Sequence, residues 1–171
     1  THSDTTAWAD SSTDEPEHGG LSAFGEAVVR EMNRIGMLID LSHVSDETMG
    51  DALRISTAPV ICSHSSAFAL APHPRNVSDE LLRAIAANGG VVMVNFFSGF
   101  VHPESARILV ENAPAYRKLR EEHPDDADYK KAAKLFREAH PIPRATLSQV
   151  LDHIDHVVKK AGVDHAGIST Q

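Results

Sequence analysis

The chain has 171 residues, 42% of them hydrophobic, with 16 basic and 24 acidic side chains and a formal net charge of -8. That length and apolar content support one domain with a real core, and the acidic balance excludes a nucleic-acid binder, which needs a basic face to neutralise phosphates. The single cysteine, Cys62, excludes an internal disulfide framework, and no apolar run approaches the ~20 residues that span a bilayer.

Residues 1–20 show no hydrophobic periodicity and read as a polar, acidic loop rather than a leader. A cytoplasmic location is the working expectation. Three βα units follow over residues 21–97. Ser22 is placed to cap a first helix, with Leu21 as an apolar staple ahead of it. Phe24, Val28, Met32 and Ile35 then recur near helical spacing, and Gly36 supplies the stop. The run from Met37 to His43 reads as a buried strand. Ser45 caps a second helix over Asp46 to Ile55, whose first-turn Asp46 and Glu47 suit the positive end of the helix dipole. A second strand runs from Pro59 to His64. After a loop with Pro72, Pro74 and Arg75, Ser78 caps a third helix carrying Leu81, Leu82 and Ile85. Asn88-Gly89-Gly90 ends it. The apolar run Val91 to Phe97 reads as a strand covered on both faces.

Residues 98–145 read as a charged helical insertion in two pieces, Glu104 to Glu122 and Asp126 to Ala139. Residues 146–171 hold a last helix, with an apolar stripe through Leu147, Val150, Leu151, Ile154, Val157 and Val158. Gly162 closes it, and the start of a final strand follows from Asp164. Strands alternating with helices fit a doubly wound sheet or a (β/α) barrel. The lack of a Gly-rich phosphate loop after any strand counts against a nucleotide-binding Rossmann domain.

His43 and His64 each end one of these strands. In parallel α/β architectures that edge collects catalytic side chains. From spacing alone two readings stay open: polar residues closing strand ends, or half of a metal site, since neutral imidazole is a common ligand. Imidazole alone suits zinc, copper, iron and nickel. His153 and His156 have ligand-like spacing on a helix but fall with Asp152, Asp155, Lys159 and Lys160, so a solvated face is expected there. Cys62 and His64 alternate along one strand. A Cys/His nucleophile pair there lacks any nearby oxyanion hole, and Cys62 is read as a core thiol.

Several blocks, in this order, resemble the renal (membrane) dipeptidase family, peptidase family M19. They are Thr1-His2 with Trp8-Ala9-Asp10-Ser11, Gly20 to Gly25, Asp40-Leu41-Ser42-His43-Val44-Ser45, Ser63-His64-Ser65, Pro74-Arg75-Asn76, and Val92-Met93-Val94-Asn95-Phe96. The 21-residue separation of the two histidines fits as well. The resemblance implies a (β/α)8 TIM-type barrel with two zinc ions bridged by a glutamate, hydrolysing dipeptides with metal-activated water. His43 and His64 would bind one zinc. His2 would contact the substrate or steady the tetrahedral intermediate, and Arg75 would pair with the dipeptide's terminal carboxylate, a two-pronged match that lysine does not reproduce.

The family's His-x-Asp motif on strand one and its bridging glutamate would both precede Thr1. Gln171 stands where the pattern after the last strand has its first aspartate, and Thr5 stands where the family often has asparagine. The chain is therefore expected to be roughly the C-terminal half of a barrel, with at most one partial zinc site. Its partners are then a dipeptide and either the missing barrel half or another subunit. The alternative is a truncated or degenerate, non-catalytic fragment with a structural or assembly role.

Overall fold

The computed structural model describes residues 2–169. Its first three helices begin where hydroxyl side chains can take the first unsatisfied amides. Ser22 accepts from Gly25 at the start of α1 (Ala23–Ile35), Ser45 from Thr48 at α2 (Asp46–Ile55), and Ser78 from Leu81 at α3 (Asp79–Ala87). Each such cap stabilises by about 1 kcal/mol. Gly36 ends α1 at φ 72°, a left-handed conformation that glycine adopts without penalty.

The strands pair in chain order. β1 (Ile61–Cys62), β2 (Val91–Val94) and β3 (Ala166–Ile168) form a parallel sheet, with Cys62 opposite Val92 and Met93 opposite Gly167. Residues 39–41 extend it beyond β1 through a single parallel bridge between Asp40 and Ile61. The expected Met37–His43 strand shrinks to this bridge for two reasons. Met37 and Leu38 are exposed, so no packing holds them extended. The Asp40 carboxylate also accepts from the Ser42 amide (2.9 Å), a local turn that competes with ladder pairing.

Val92 and Val94 of β2 are buried against the helices, while Val91 and Met93 on the opposite face are half-buried. The strand is thus fully covered on one side only, and it stops at Asn95, whose side chain accepts from the Phe97 amide. The buried cluster joins Ile39, Leu41, Cys62, Val92 and Val94 to Val29, Met49, Leu82, Ile85, Val150 and Val157. On α1 the buried residues are Gly25 and Val29, whereas Phe24 and Ile35 of the expected stripe face outward.

A single turn, α4 (Ser98–Val101), leads into α5 (Pro103–Glu122) and α6 (Asp126–Ala139). Tyr116 and Phe136 pack edge to face between these two helices. Arg117 pairs with Glu15 at 3.1 Å, tying α5 to the amino-terminal loop. α7 (Leu147–Ala161) opens with a capping box between Thr146 and Gln149. A 3-10 turn, Val163–His165, precedes β3, so the last strand starts two residues after Asp164. No helix among the described residues is long and apolar enough to cross a membrane.

The expected solvated face of α7 holds for Asp152, Asp155 and Lys159, which are exposed, and fails for His153. His153 is 1% exposed; it accepts from the Ala67 amide at 3.0 Å through Nδ1 and donates from Nε2 to the Val101 carbonyl at 3.0 Å. His156 Nε2 meets Asp79 at 2.6 Å, and Lys160 joins the same carboxylate at 2.6 Å. These two hydrogen bonds, with burial opposing them, hold Asp79 down to about 2. Replacing His153 with leucine strands two buried backbone groups, at an expected cost of about 2–4 kcal/mol in urea denaturation. Burial lowers the His153 pKa, so the folded state keeps the ring neutral while the unfolded chain protonates it below pH ~6.5. Its stabilisation is therefore complete above that pH and is lost as pH falls toward the lowered value. The variant should show a shallower loss of stability between pH 7 and pH 5 than the parent.

Candidate active site

The amino-terminal loop is organised by one carboxylate. Asp10 is fully buried and accepts from the amides of Glu17 (2.9 Å), His18 (3.1 Å) and Gly20 (2.9 Å). Burial opposes its charge, but those amides outweigh it and hold the group below the usual carboxylate range. The next residues fasten the loop to the first histidine. Ser11 Oγ donates to the Ser3 carbonyl (3.0 Å), and the Ser12 amide donates to the His43 carbonyl (2.8 Å). His2 is thereby brought over His43, the two rings stacking with centroids 4.1 Å apart.

His43 is the one non-glycine residue with positive φ, at 80°, among the described residues. Such a conformation persists only where its surroundings over-determine it, and it clusters at functional sites. Here the Ser12 contact on one side and α2 on the other fix the backbone. The distortion aims the ring at His64, and the two Nε2 atoms stand 2.8 Å apart. Burial foremost, then the charges of Arg75, His2 and His64, push His43 down to about 3. Burial and Arg75 lower His64 as well. Both rings are therefore neutral at neutral pH, as ligation requires.

Arg75 lies in the loop after β1, which a buried asparagine staples. Asn76 accepts from the Ser66 amide and donates to the carbonyls of Ala71 and Phe100. Arg75 is only 6% exposed; it donates to the His64 carbonyl at 3.2 Å and sits 5.1 Å from the Phe100 ring centroid. Its Nε finds no hydrogen-bond partner among the described residues. Burial lowers this guanidinium to about 10, against opposing help from Asp40 and Cys62. His73 accepts from the Arg75 amide at 3.1 Å, and burial next to Arg75 pushes it down to about 4. A cleft of about 460 Å³ opens beside His73, reaching from Ser3 past Phe97 to Tyr116 and Tyr129 of the helical insertion, with Asp4, Asp14 and three arginines, Arg117, Arg120 and Arg137, also in its walls.

His2, His43, His64 and Arg75 thus converge, although they come from four separate segments. Cys62 stays apart, fully buried in the core with its thiol pushed up by burial. Asn76 and His73 act on Arg75 through contacts that only the folded loop creates. For Asn76 the sequence signal is the Pro74-Arg75-Asn76 block.

The family described as "Membrane dipeptidase (Peptidase family M19)" matches residues 1–171. The chain belongs to that family. It is 38% identical over 170 residues to "Dipeptidase tcpJ" of Claviceps purpurea, covering 99% of this chain and 31% of that protein. Among solved structures it is similar to the probable dipeptidase PvdM from Pseudomonas aeruginosa. That match has 31% identity and a TM-score of 0.74, over 95% of this chain and 47% of the other. A metallopeptidase from Rhodobacter sphaeroides, liganded with a phosphinate mimic of the dipeptide L-Ala-D-Ala, is also similar. It has 27% identity and a TM-score of 0.65, over 94% of this chain and 35% of that chain. The chain spans less than half the length of these M19 relatives.

M19 enzymes are metallopeptidases, and the donor chemistry of the histidine pair suits a divalent cation. Two nitrogens each ~2.0–2.1 Å from zinc at a tetrahedral angle lie about 3.3 Å apart. The 2.8 Å pair would need to open only slightly. Among the described residues no group of three or more His, Cys, Asp or Glu is arranged to hold a metal ion. The pair fits as part of a coordination set, not as a whole one.

Proposed function

We propose that this chain is the carboxyl-terminal half of a (β/α)8 barrel and contributes to a zinc dipeptidase whose remaining ligands lie on the other half. The parallel, chain-ordered strands support the half-barrel reading. So do the exposed apolar side chains at both ends of the ladder, Met37 and Leu38 at one and Ile168 at the other. The observation that carries the functional reading is the meeting of two neutral imidazole Nε2 atoms beside a buried arginine whose Nε lacks a partner among the described residues.

Each residue then has a definite task. His43 and His64 would hold zinc through Nε2, with the remaining ligands and any second ion on the rest of the barrel. When bound, zinc supplies Lewis acidity that brings water's pKa toward ~7. Arg75 receives the carboxylate of the substrate's second residue on its Nε edge, where burial strengthens a charge-assisted pair. Anchoring the free carboxylate next to the scissile bond limits the substrate to two residues. His2, stacked on His43, would donate to the oxygen that gains charge as the carbonyl becomes tetrahedral. The cleft beyond Phe97 accommodates a substrate side chain, and a D-residue at the carboxyl end falls within the proposed range.

The test is hydrolysis of L-Ala-D-Ala by the whole protein, with zinc and with a chelator. Activity that disappears with the chelator and returns with zinc is expected. Chelator-insensitive hydrolysis overturns the reading, and no hydrolysis at excess zinc turns it toward a non-catalytic fragment.

A further inference from the structure

Beyond the two imidazoles lies a hydrogen-bonded chain that neither of them needs for packing. Ser63 Oγ is 2.5 Å from Asp40 Oδ2 and 2.7 Å from His64 Nδ1. Asp40 Oδ1 meanwhile accepts from the Ser42 amide (2.9 Å) and the Ser63 amide (3.1 Å). All three contacts to the carboxylate are therefore donated to it. A hydroxyl has one hydrogen, and a carboxylate cannot return one. The Ser63 hydrogen must go to Asp40, which leaves the Ser63 oxygen only its lone pairs to offer His64. Nδ1 of His64 must then carry the ring proton, and Nε2 keeps its lone pair, directed at His43.

We infer that Asp40 and Ser63 are positioning residues that fix the tautomer of His64 so that Nε2 is presented to a metal ion. The inference rests on the dipeptidase reading for the identity of that ion, but the tautomer itself does not depend on it. The arrangement is a carboxylate–histidine support of the kind that orients metal ligands, with a serine hydroxyl inserted between the two. It has a fixed polarity, and the polarity can be reversed. In Asp40→Asn, the amide oxygen can keep the Ser42 and Ser63 amides, and its NH2 then faces Ser63 Oγ. Ser63 must accept from that NH2 and turn its own hydrogen to Nδ1, which moves the ring proton to Nε2 and blocks the lone pair. Loss of the right tautomer with geometry preserved is the way an Asp→Asn change disables an Asp–His pair in a catalytic triad.

The experiment is 15N NMR of the His64 ring in the whole, metal-stripped protein, with zinc affinity measured separately by competition with a chromophoric chelator. The parent should show a pyrrole-type Nδ1 and a pyridine-type Nε2, and Asp40→Asn should exchange the two. Asp40→Asn and Ser63→Ala should each weaken zinc binding by about 10–100-fold, and Ser63→Thr, which keeps the hydroxyl, should restore it. A ring protonated on Nε2 in the parent, or an unchanged tautomer in both Asp40→Asn and Ser63→Ala, overturns the inference. A whole protein with the expected tautomer but no affinity for zinc overturns the metal reading while sustaining the relay, so the two fail separately.

Discussion

If the dipeptidase proposal holds, His43→Ala in the whole protein is expected to lower kcat/KM for a dipeptide about a thousandfold, an increase of about 4 kcal/mol in the activation barrier. It should also weaken zinc binding by more than the ~10–100-fold that losing a ligand's supporting partner costs. The reason is geometric. His43 supplies one of two Nε2 atoms that meet at 2.8 Å, and the described residues offer no third ligand to replace it. The backbone gives a control for misfolding. At φ 80° a side chain with a Cβ is disfavoured, so His43→Gly should be more stable than His43→Ala by about 1 kcal/mol while being equally inactive. Parallel loss of activity with opposite trends in denaturation midpoint would separate ligation from folding. Retention of zinc affinity in both variants would remove His43 from the site.

That distorted backbone marks the boundary of what the sequence makes legible. Local signals read well. The hydroxyl caps Ser22, Ser45 and Ser78 act at the expected amides, and the two insertion helices start within one residue of expectation. These depend on contacts within a few residues. His153 shows the opposite case. Sorting α7 by polarity placed it in solvent, although it stands three residues after Val150 and four before Val157, both buried, whereas Leu147 and Leu151 are exposed. Spacing held the signal and polarity hid it. The polar ring is buried because Ala67 and Val101, far away in sequence, each leave a backbone group to be satisfied. Asp40 and Ser63 likewise stood inside quoted motifs without a role, since their link to His64 exists only when 23 residues of chain close on themselves. The Met37–His43 strand failed for a related reason. An apolar run signals burial, but the partner that would bury Met37 and Leu38 is not among the described residues.

Arg75 should show loss of activity without loss of fold. Its guanidinium is buried, donating to the His64 carbonyl and lying over the Phe100 face, and its Nε is unmatched among the described residues. Burying a charge this way is unfavourable to the folded protein unless a partner arrives. The dipeptide's carboxylate is that partner in the proposed reading, and losing one side of such a desolvated charge pair costs about 2–5 kcal/mol. Arg75→Met is therefore expected to reduce kcat/KM by at least about 30-fold, chiefly through KM, because the carboxylate is bound alike in the ground and transition states. Selectivity for a free carboxylate over a carboxyl-terminal amide should collapse with it. Lysine should not rescue either quantity, since it lacks the planar two-donor edge. Stability should move the other way. Methionine fills similar space without a charge to desolvate, so the denaturation midpoint should hold or rise, the expected pattern when a site keeps an unfavourable group for its function. A variant with unchanged KM and unchanged preference for the free carboxylate would mean that the anchor lies elsewhere. A variant that lost stability and activity together would assign Arg75 to holding the loop between His64 and Asn76.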